Sequence, residues 1–586
     1  MRTWYYWLYI YPVLNGVIVL NELYYLENFK LVLESVRERN SQALNNSDKQ
    51  FIRLFFAAPQ AAQALLVRLI MRKGELFSYA KLSYAEIPDF SAALEFLADL
   101  GWVRLKTQLR LDEAFALFTL AELKLLLPQW PKASSEIKEQ WLSRILASEP
   151  DLLVQVQKVV ELRVSDHSQR FRLLFFGNLK QNWSEFVTEQ LGLYKYEAVD
   201  LNAEAALFGS PAELDSYMAL ESLYSDIEQT LLAYDAVDLK LALVQLGQFQ
   251  AIAMYDSPWL SRRRDKLLFR LGRTAERRQQ FSLAEQLYGR CNWEESRQRL
   301  VRVYELQGKT TQAVELAATA LAEPQNEAER QQVLRMWPRL YKRFMQQRST
   351  VSTDAVNTPQ FHQVNGLLQS SRFSTKNIHA LSLVLPVAVP ARVEHRSAKS
   401  LSGYAEQCFF VENCLINGLF GLLFWDVLFA PVPGAFFHPF QTRPADLYET
   451  DFQKRRAHLF EQRFRSLETS EYQQIIRKNY VRKQGIQSSF VHWGVLSDGL
   501  ISHALRCISA SELRLYFTRL LATPKNNGNG MPDLIIFDLL SNRYRWVEIK
   551  APGDKLQDNQ VRWFEFFATH NIEAAVCYVQ WADHEG

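Results

Sequence analysis

Cysteine is scarce in this chain: five residues in 586, at positions 291, 408, 414, 507 and 577. None stands in a CxxC pair and none has histidine partners at zinc-finger spacing, which excludes a structural zinc module of that kind. A disulfide framework is excluded on the same ground, and scattered thiols fit a reducing cytosol. An excess of charge of one sign is also missing. Lys and Arg number 67 against 64 Asp and Glu, a formal net charge of +3. Contact with a polyanion would therefore rest on local basic patches rather than on the whole surface. Arg262-Arg263-Arg264, Arg273 to Arg278 and Lys454-Arg455-Arg456 are the candidates, each equally readable as a solvated helix face. One stretch, Trp4 to Leu20, is uncharged and apolar. It contains Pro12, Asn15 and Gly16, lacks a small-residue cleavage motif and is short for a spanning helix. Residues 1–22 are expected to be an extension ahead of the folded start, arising from an upstream start codon, and no membrane partner is expected.

What is present is an ordinary globular composition, 48% hydrophobic and 22% charged, in a chain long enough for several domains. Its most telling feature lies near the end. Leu534-Ile535-Ile536-Phe537 and Tyr544-Arg545-Trp546-Val547 are rich in β-branched and aromatic residues and read as two strands. Ser541-Asn542 reads as a tight turn between them. With those two residues as the loop, Leu540 faces Arg543, Asp533 faces Lys550, and Ile535 faces Glu548. Side chains alternate with period two, so Asp533, Glu548 and Lys550 share one face at one end of the hairpin. Oxygen ligands of this kind suit Mg²⁺ or Mn²⁺. A metal held there would stabilise charge on phosphoryl oxygens and activate water, and the lysine would assist the transition state. A surface salt bridge between strands would use the same three residues, so the hairpin by itself does not decide.

The following segment reads as a turn at Ala551-Pro552-Gly553-Asp554, a helix from Leu556 to His570, and a strand over Ala574 to Val579. Strand, strand, helix, strand fits a restriction-endonuclease-like α/β core. Gln560, one turn into the helix, is within reach of the same face. Upstream, Val411 to Phe429 has an apolar helical pattern, and Glu412 lies on its stripe with Leu415, Ile416, Leu419 and Leu423. That carboxylate is either a further ligand or a favourable charge in a helix's first turn.

The chain resembles the Fanconi-associated nuclease family, whose catalytic module is the VRR-NUC domain. The resemblance rests on several blocks. They are Glu412 with Gly421-Leu422-Leu423-Phe424-Trp425-Asp426, then Gly530-Met531-Pro532-Asp533, then Glu548 to Asp554 with Gln560 and Trp563. A further block runs from Leu174-Phe175-Phe176-Gly177-Asn178 through Ser184-Glu185-Phe186-Val187 to Leu191-Gly192. The resemblance implies metal ligation by Glu412, Asp533 and Glu548, with the Ile549 carbonyl as an extra ligand, and catalytic assistance by Lys550. It implies a hydrolase of DNA phosphodiester bonds that leaves 5′-phosphates, cuts near 5′ flaps and trims 5′ to 3′ in repair, including crosslink repair. Its substrate would be branched or flapped duplex DNA. Without a zinc finger the chain looks like the shorter, bacterial-type form, for which ubiquitin is not expected as a partner and a cytoplasmic, nucleoid-associated location is. Two alternatives stay open: a four-way-junction resolvase with the same chemistry, and a non-catalytic DNA-binding or interaction scaffold.

The expected architecture is multidomain and mostly α. Residues 23–112 read as a helical, winged-helix-like domain, with a helix over Phe90 to Leu100 and a short strand at Trp102-Val103-Arg104-Leu105. Residues 113–200 read as SAP-like, with a capped helix beginning at Phe118-Thr119. Residues 201–347 read as TPR-like: Leu271-Gly272 and Gln307-Gly308 each precede a helix with alanines at packing positions, Ala284 in one and Ala313 and Ala317 in the other. That region is also the place expected to bind a partner protein. Residues 348–377 read as a linker, and residues 378–586 as the VRR-NUC domain with a helical insertion.

Overall fold

The structure, a computed structural model, describes residues 13–14, 17–18, 22–186, 194–201, 208–233, 258–348, 375–386, 392–403 and 406–582. Most of the apolar N-terminal stretch, the family block from Val187 to Gly192, and most of the 348–377 segment lie outside them. No helix among the described residues is long and apolar enough to cross a membrane. The chain divides into two compact units. One comprises Met1–Lys195, Leu201–Leu214 and Phe437–Phe440; the other comprises Tyr196–Asp200, Asp215–Phe436 and Gln441–Gly586.

The first unit opens with helices Tyr24–Arg39, Asn46–Ala57 and Gln60–Met71, whose apolar faces bury Phe29, Phe55 and Leu65. Helix Phe90–Asp99 ends at Gly101, whose φ of 70° is one that glycine adopts without penalty. Three antiparallel strands form a sheet: β1 (Leu76–Ser78), which precedes that helix, then β2 (Val103–Arg110) and β3 (Leu153–Leu162), in the order β1-β3-β2. Strand β2 is longer than the four residues expected. Most of it faces solvent, so it lacks the apolar alternation by which a strand is recognised. Thr119 caps helix Leu120–Leu126 through a reciprocal bond pattern with Glu122. Helix Ser165–Phe176 closes on Gly177 at φ 70° and buries Phe175 and Phe176, so these aromatics build core.

In the second unit, helices Pro258–Arg277, Phe281–Gly289, Ser296–Leu306, Thr310–Ala322 and Glu327–Arg348 pack each on the next. Ala284, Ala313 and Ala317 are fully buried at those contacts. Gly308 ends its helix at φ 74°, but Gly272 lies inside helix Pro258–Arg277. It serves close packing rather than a turn, because a Cβ there would meet the Tyr288 ring at 2.6 Å.

The rest of this unit is built on a five-stranded sheet of β4 (His379–Leu385), β5 (Glu406–Phe410), β6 (Leu534–Asp538), β7 (Arg543–Lys550) and β8 (Ala574–Trp581). Its order is β4-β8-β7-β6-β5; β8 runs parallel to β4 and β7, while β6 is antiparallel to β5 and β7. Leu534, Ile536, Val547, Ile549, Cys577 and Val579 form a core on one face, with Val393 and Leu401 of helix Val393–Leu401 packed against it. On the other face, Trp546 meets Tyr516 of helix Ala510–Ala522 and Phe567 of helix Asp558–Thr569. The segment between Asp426 and Asp533 runs irregularly over 430–451 and then carries helices, including Ala457–Arg465, Glu471–Arg482, Asp498–Cys507 and Ala510–Ala522.

Candidate active site

The hairpin differs in register from the expected one. Asp538 pairs with Arg543 and Ile535 with Trp546, so four residues, Leu539 to Asn542, form the loop. Asp538 causes the difference. Its carboxylate accepts the Leu540 and Ser541 N–H groups at 2.9 and 3.3 Å and the Ser541 hydroxyl at 2.5 Å, and Asn542 sits at φ 53°. The ladder therefore shifts by two residues, which brings Asp533 opposite Glu548 rather than Lys550. A two-residue shift leaves every side chain on its original face, because the pleat repeats every two residues. Asp533, Glu548 and Lys550 thus still converge.

Several local features hold Asp533 in place. Gly530 has φ 95°, and a Cβ on it would lie 2.8 Å from the Asn559 backbone carbon and Cβ, so only glycine lets the chain approach helix Asp558–Thr569 this closely. Trp563 Nε1 donates to the Asn529 carbonyl at 3.1 Å across the same contact. The Asp533 carboxylate accepts the Ile549 backbone N–H at 2.9 Å.

Glu412 is not on the helical stripe expected for it. The helix begins at Cys414, and Glu412 stands in the turn between β5 and that helix, exposed. The polar Asn413, at φ 45°, breaks the pattern just before the helix starts. The turn is nevertheless fastened to Asp533: the Val411 and Glu412 N–H groups both donate to the Asp533 carbonyl, at 2.8 and 3.1 Å. Asn413 Oδ1 accepts the Met531 N–H at 3.0 Å. Helix Cys414–Leu423 can sit close behind because Gly421 packs where a Cβ would meet Phe490 and Val491 at 2.8 Å.

Glu548 is 1% exposed and Lys550 7%. Lys550 Nζ lies 2.7 Å from Glu548 Oε1 and 3.1 Å from Gln560 Oε1. Gln560 Nε2 donates to Glu548 Oε1 at 2.6 Å, so this glutamine does reach the cluster. Glu548 Oε2 is buried with no hydrogen-bond partner. Burial, and then the charge of Asp533, push the Glu548 carboxyl up to about 7. Burial pushes Asp533 up to about 6, and the nearby charges of Glu394 and Glu412 add to it. Glu394, in the first turn of helix Val393–Leu401, is an acidic neighbour acting on Asp533 through space that sequence reading missed. Only its position in a helix's first turn marks it in the sequence, and that is shared by many acidic residues.

The site is thus rich in carboxylate and short of cation: Asp533 bears on Glu548, Glu394 and Glu412 bear on Asp533, and one lysine answers them. Hard oxygen donors, a buried oxygen without a partner and mutual repulsion are what a divalent cation would relieve. Among the described residues, no three His, Cys, Asp or Glu side chains already converge as a finished cage. Asp533 and Glu548 form its centre, while Glu412 and Glu394 bear on Asp533 through space.

Two of the basic triplets are absorbed by the structure. Arg262, Arg263 and Arg264 pair with Glu449, Glu221 and Asp265. Arg456 is fully buried and holds Asp446 at 2.8 and 3.0 Å, with Arg455 on the same carboxylate at 2.8 Å.

This sheet, with its carboxylates and lysine on one face, is the core of a VRR-NUC nuclease module; the VRR-NUC domain matches residues 467–581, and the FAN1 HTH domain matches residues 23–104. The chain is 39% identical over 566 residues to a Fanconi-associated nuclease 1 homolog of Pseudomonas aeruginosa, covering 95% of this chain and 96% of that protein. An Arabidopsis thaliana homolog is 24% identical over 613 residues, covering 95% of this chain and 67% of that one. The crystal structure of paFAN1 bound to 2nt 5′flap DNA with gap superposes with a TM-score of 0.85 at 37% identity, covering 98% of this chain and all of the other. Its complex with 1nt 5′flap DNA gives 0.83 at 38% identity over 96% of this chain. The protein belongs to the Fanconi-associated nuclease family, and is a DNA-cleaving hydrolase.

Proposed function

We propose that this nuclease acts on flapped duplex DNA, cutting near the 5′ flap and trimming 5′ to 3′, in repair that includes interstrand crosslinks. The observation that carries the reading is the cation-poor cluster of half-buried Asp533 with buried Glu548 and Lys550. The flap specificity is supported by the flap DNA bound in the two superposed structures of one relative.

Asp533, Glu548, Glu412 and the Ile549 carbonyl would hold a divalent ion, Mg²⁺ or Mn²⁺, which would supply Lewis-acid stabilisation of the phosphoryl oxygens. The side chains do the rest. Lys550 donates hydrogen bonds to the attacking water or to the phosphoryl oxygens on which charge develops. Gln560 and Glu548 hold its ammonium on that side of the sheet. Water attacks phosphorus in line with the departing oxygen, the P–O3′ bond breaks, and the 5′-phosphate stays on the product. The helical regions at 23–112 and 113–200 grip the duplex, mainly through phosphates and DNA shape. The repeats within 201–347 give a surface for a partner protein.

Labelled 5′-flap, four-way-junction and blunt duplexes incubated with the protein and Mn²⁺ test this. Preferred flap cleavage with 5′-phosphate products is expected; paired symmetric cuts in the junction would make it a resolvase instead. Lys550→Ala should lower the rate at saturating DNA by about 10²-fold or more while changing DNA affinity little, the signature of a transition-state role. A matched loss of affinity with an unchanged saturated rate would reduce Lys550 to a phosphate contact.

A further inference from the structure

Helix Asp558–Thr569 carries Gln560 into the active site, and its first turn is held from outside the VRR-NUC sheet. Asp558 Oδ1 accepts Arg335 Nη1 at 2.5 Å, and Asp558 Oδ2 accepts Gln332 Nε2 at 2.5 Å. The Asp558 carbonyl accepts Gln331 Nε2 at 3.1 Å, and Arg562 Nη1 donates to Gln331 Oε1 at 2.7 Å. All three outside residues lie within about one turn of the long helix Glu327–Arg348, the last of the packed repeat helices.

Two residues after Asp558 comes Gln560. Its Oε1 accepts the Gln557 N–H at 2.8 Å and Lys550 Nζ at 3.1 Å, while its Nε2 donates to Glu548 Oε1 at 2.6 Å. The amide can be read only one way round, since its oxygen faces two donors and its nitrogen a carboxylate. Lys550 therefore divides its hydrogen bonds between Glu548, which attracts it by charge, and Gln560, which holds it by geometry. Moving the first turn would release the ammonium to Glu548 alone. The clamp is poorly suited to a purely stabilising role. The side chains of Arg335 and Asp558 are 49% and 40% exposed, and an ion pair that open adds little to stability. Asp558 would also be favourable at a helix N-terminus without any partner.

We propose that Arg335 and Gln332 are positioning residues for Lys550, acting through Asp558 and Gln560: the long repeat helix sets the register of the turn that aims the ammonium. This rests on the catalytic reading of Lys550 given above. No residue of the clamp touches the DNA or the metal in this proposal.

The test is single-turnover cleavage of 5′-flap DNA at saturating Mn²⁺. It compares the wild type, Arg335→Ala with Gln332→Ala, Gln560→Ala, and all three substitutions together. Releasing the clamp should lower the saturated rate about 3- to 10-fold, with the DNA concentration for half-maximal rate unchanged, as small misplacements of catalytic groups do. Gln560→Ala should lower it at least as much. Adding the clamp substitutions to Gln560→Ala should then change the rate by less than about 1.5-fold, because groups acting in one chain are not additive. In the metal-free protein, amide hydrogen exchange over 557–561 should quicken in the clamp variant. Multiplying effects in the combined variant would overturn the proposal. So would a loss confined to DNA affinity, or unchanged exchange. Should the paired substitution unfold the protein, Arg335→Lys alone carries the same comparison, since it keeps the charge but loses the guanidinium geometry. A Lys550→Ala variant that cleaves like wild type would overturn the reading of Lys550 itself; additivity alongside an inactive Lys550→Ala overturns only the clamp.

Discussion

Asp48 and Asp533 are both aspartates withdrawn from water, and they are treated in opposite ways. Asp48, in the helical N-terminal unit, is fully buried. His167 Nδ1 lies 2.8 Å from its Oδ1, Arg170 Nε is 2.9 and 3.1 Å from its two oxygens, and it accepts the Asn45 N–H at 3.2 Å. Burial raises its pKa, but His167 and Arg170 more than offset that, and the carboxyl ends below its ordinary range. Asp533 has one backbone N–H, a lysine engaged mainly with Glu548, and acidic neighbours, and it ends at about 6. A saturated carboxylate locks a fold; an undersaturated one is stable only with something added. In this chain that contrast separates structural from functional charge better than burial does. Arg456 makes a similar point from the cationic side, since it is basic and buried and both its terminal nitrogens bond Asp446.

The largest effect that can break the contrast is at Asp533. Asp533→Asn should abolish cleavage, by about 10³-fold or more if a metal ligand is lost, while flap binding persists. It should also make the metal-free protein more stable at pH 8, by about 1–2 kcal/mol in thermal melting. The sign follows from the raised pKa: a half-buried acid of this kind favours the fold below its ordinary pKa and opposes it once ionised. The gain should therefore shrink as pH falls through about 6 and vanish below the ordinary Asp value. An Asn variant that melts earlier than wild type at pH 8 would place Asp533 with the structural carboxylates.

Asp48→Asn is the mirror experiment. It leaves Arg170 buried without its counter-charge and should cost about 3–5 kcal/mol, measured by denaturant unfolding at pH 7. Because the folded pKa of Asp48 is depressed, the loss should be present above the ordinary Asp pKa and fade as pH falls through the folded value. Cleavage per folded molecule should not change.

Glu412→Gln is a smaller and sharper test. It should raise the Mn²⁺ concentration for half-maximal cleavage about 10-fold, the scale seen when a ligand or its support is weakened, and cost little stability because the side chain is exposed. Superimposable metal titrations would remove Glu412 from the site. The smallest effect concerns pH. At limiting metal, cleavage should rise between about pH 6 and 7, where Asp533 and Glu548 lose protons, and the rise should flatten once metal saturates the site. A flat profile at limiting metal would mean the two carboxyls are not the ligands.

The sequence by itself determined which side chains share the face of the proposed active site. Asp533, Glu548 and Lys550 are tied together by the two-residue pleat, and a period that short survives even an error in the turn. The loop at Leu539–Asn542 was misjudged by two residues because Asp538 caps it through side-chain bonds that strand propensity does not encode. The packing alanines of the repeats were legible because small residues at helical spacing have few other uses. Tertiary structure alone decided the remainder. Glu412 reaches Asp533 through backbone bonds between segments more than a hundred residues apart, not through the helical stripe its neighbours suggested. Glu394 bears on Asp533 only because its helix packs beside the sheet. The arginine triplets, alike in sequence, became ion pairs because glutamates and aspartates arrived opposite them. Periodicity is carried by adjacent residues and can be read locally; the balance of charge at a buried group depends on which distant segments fold against it.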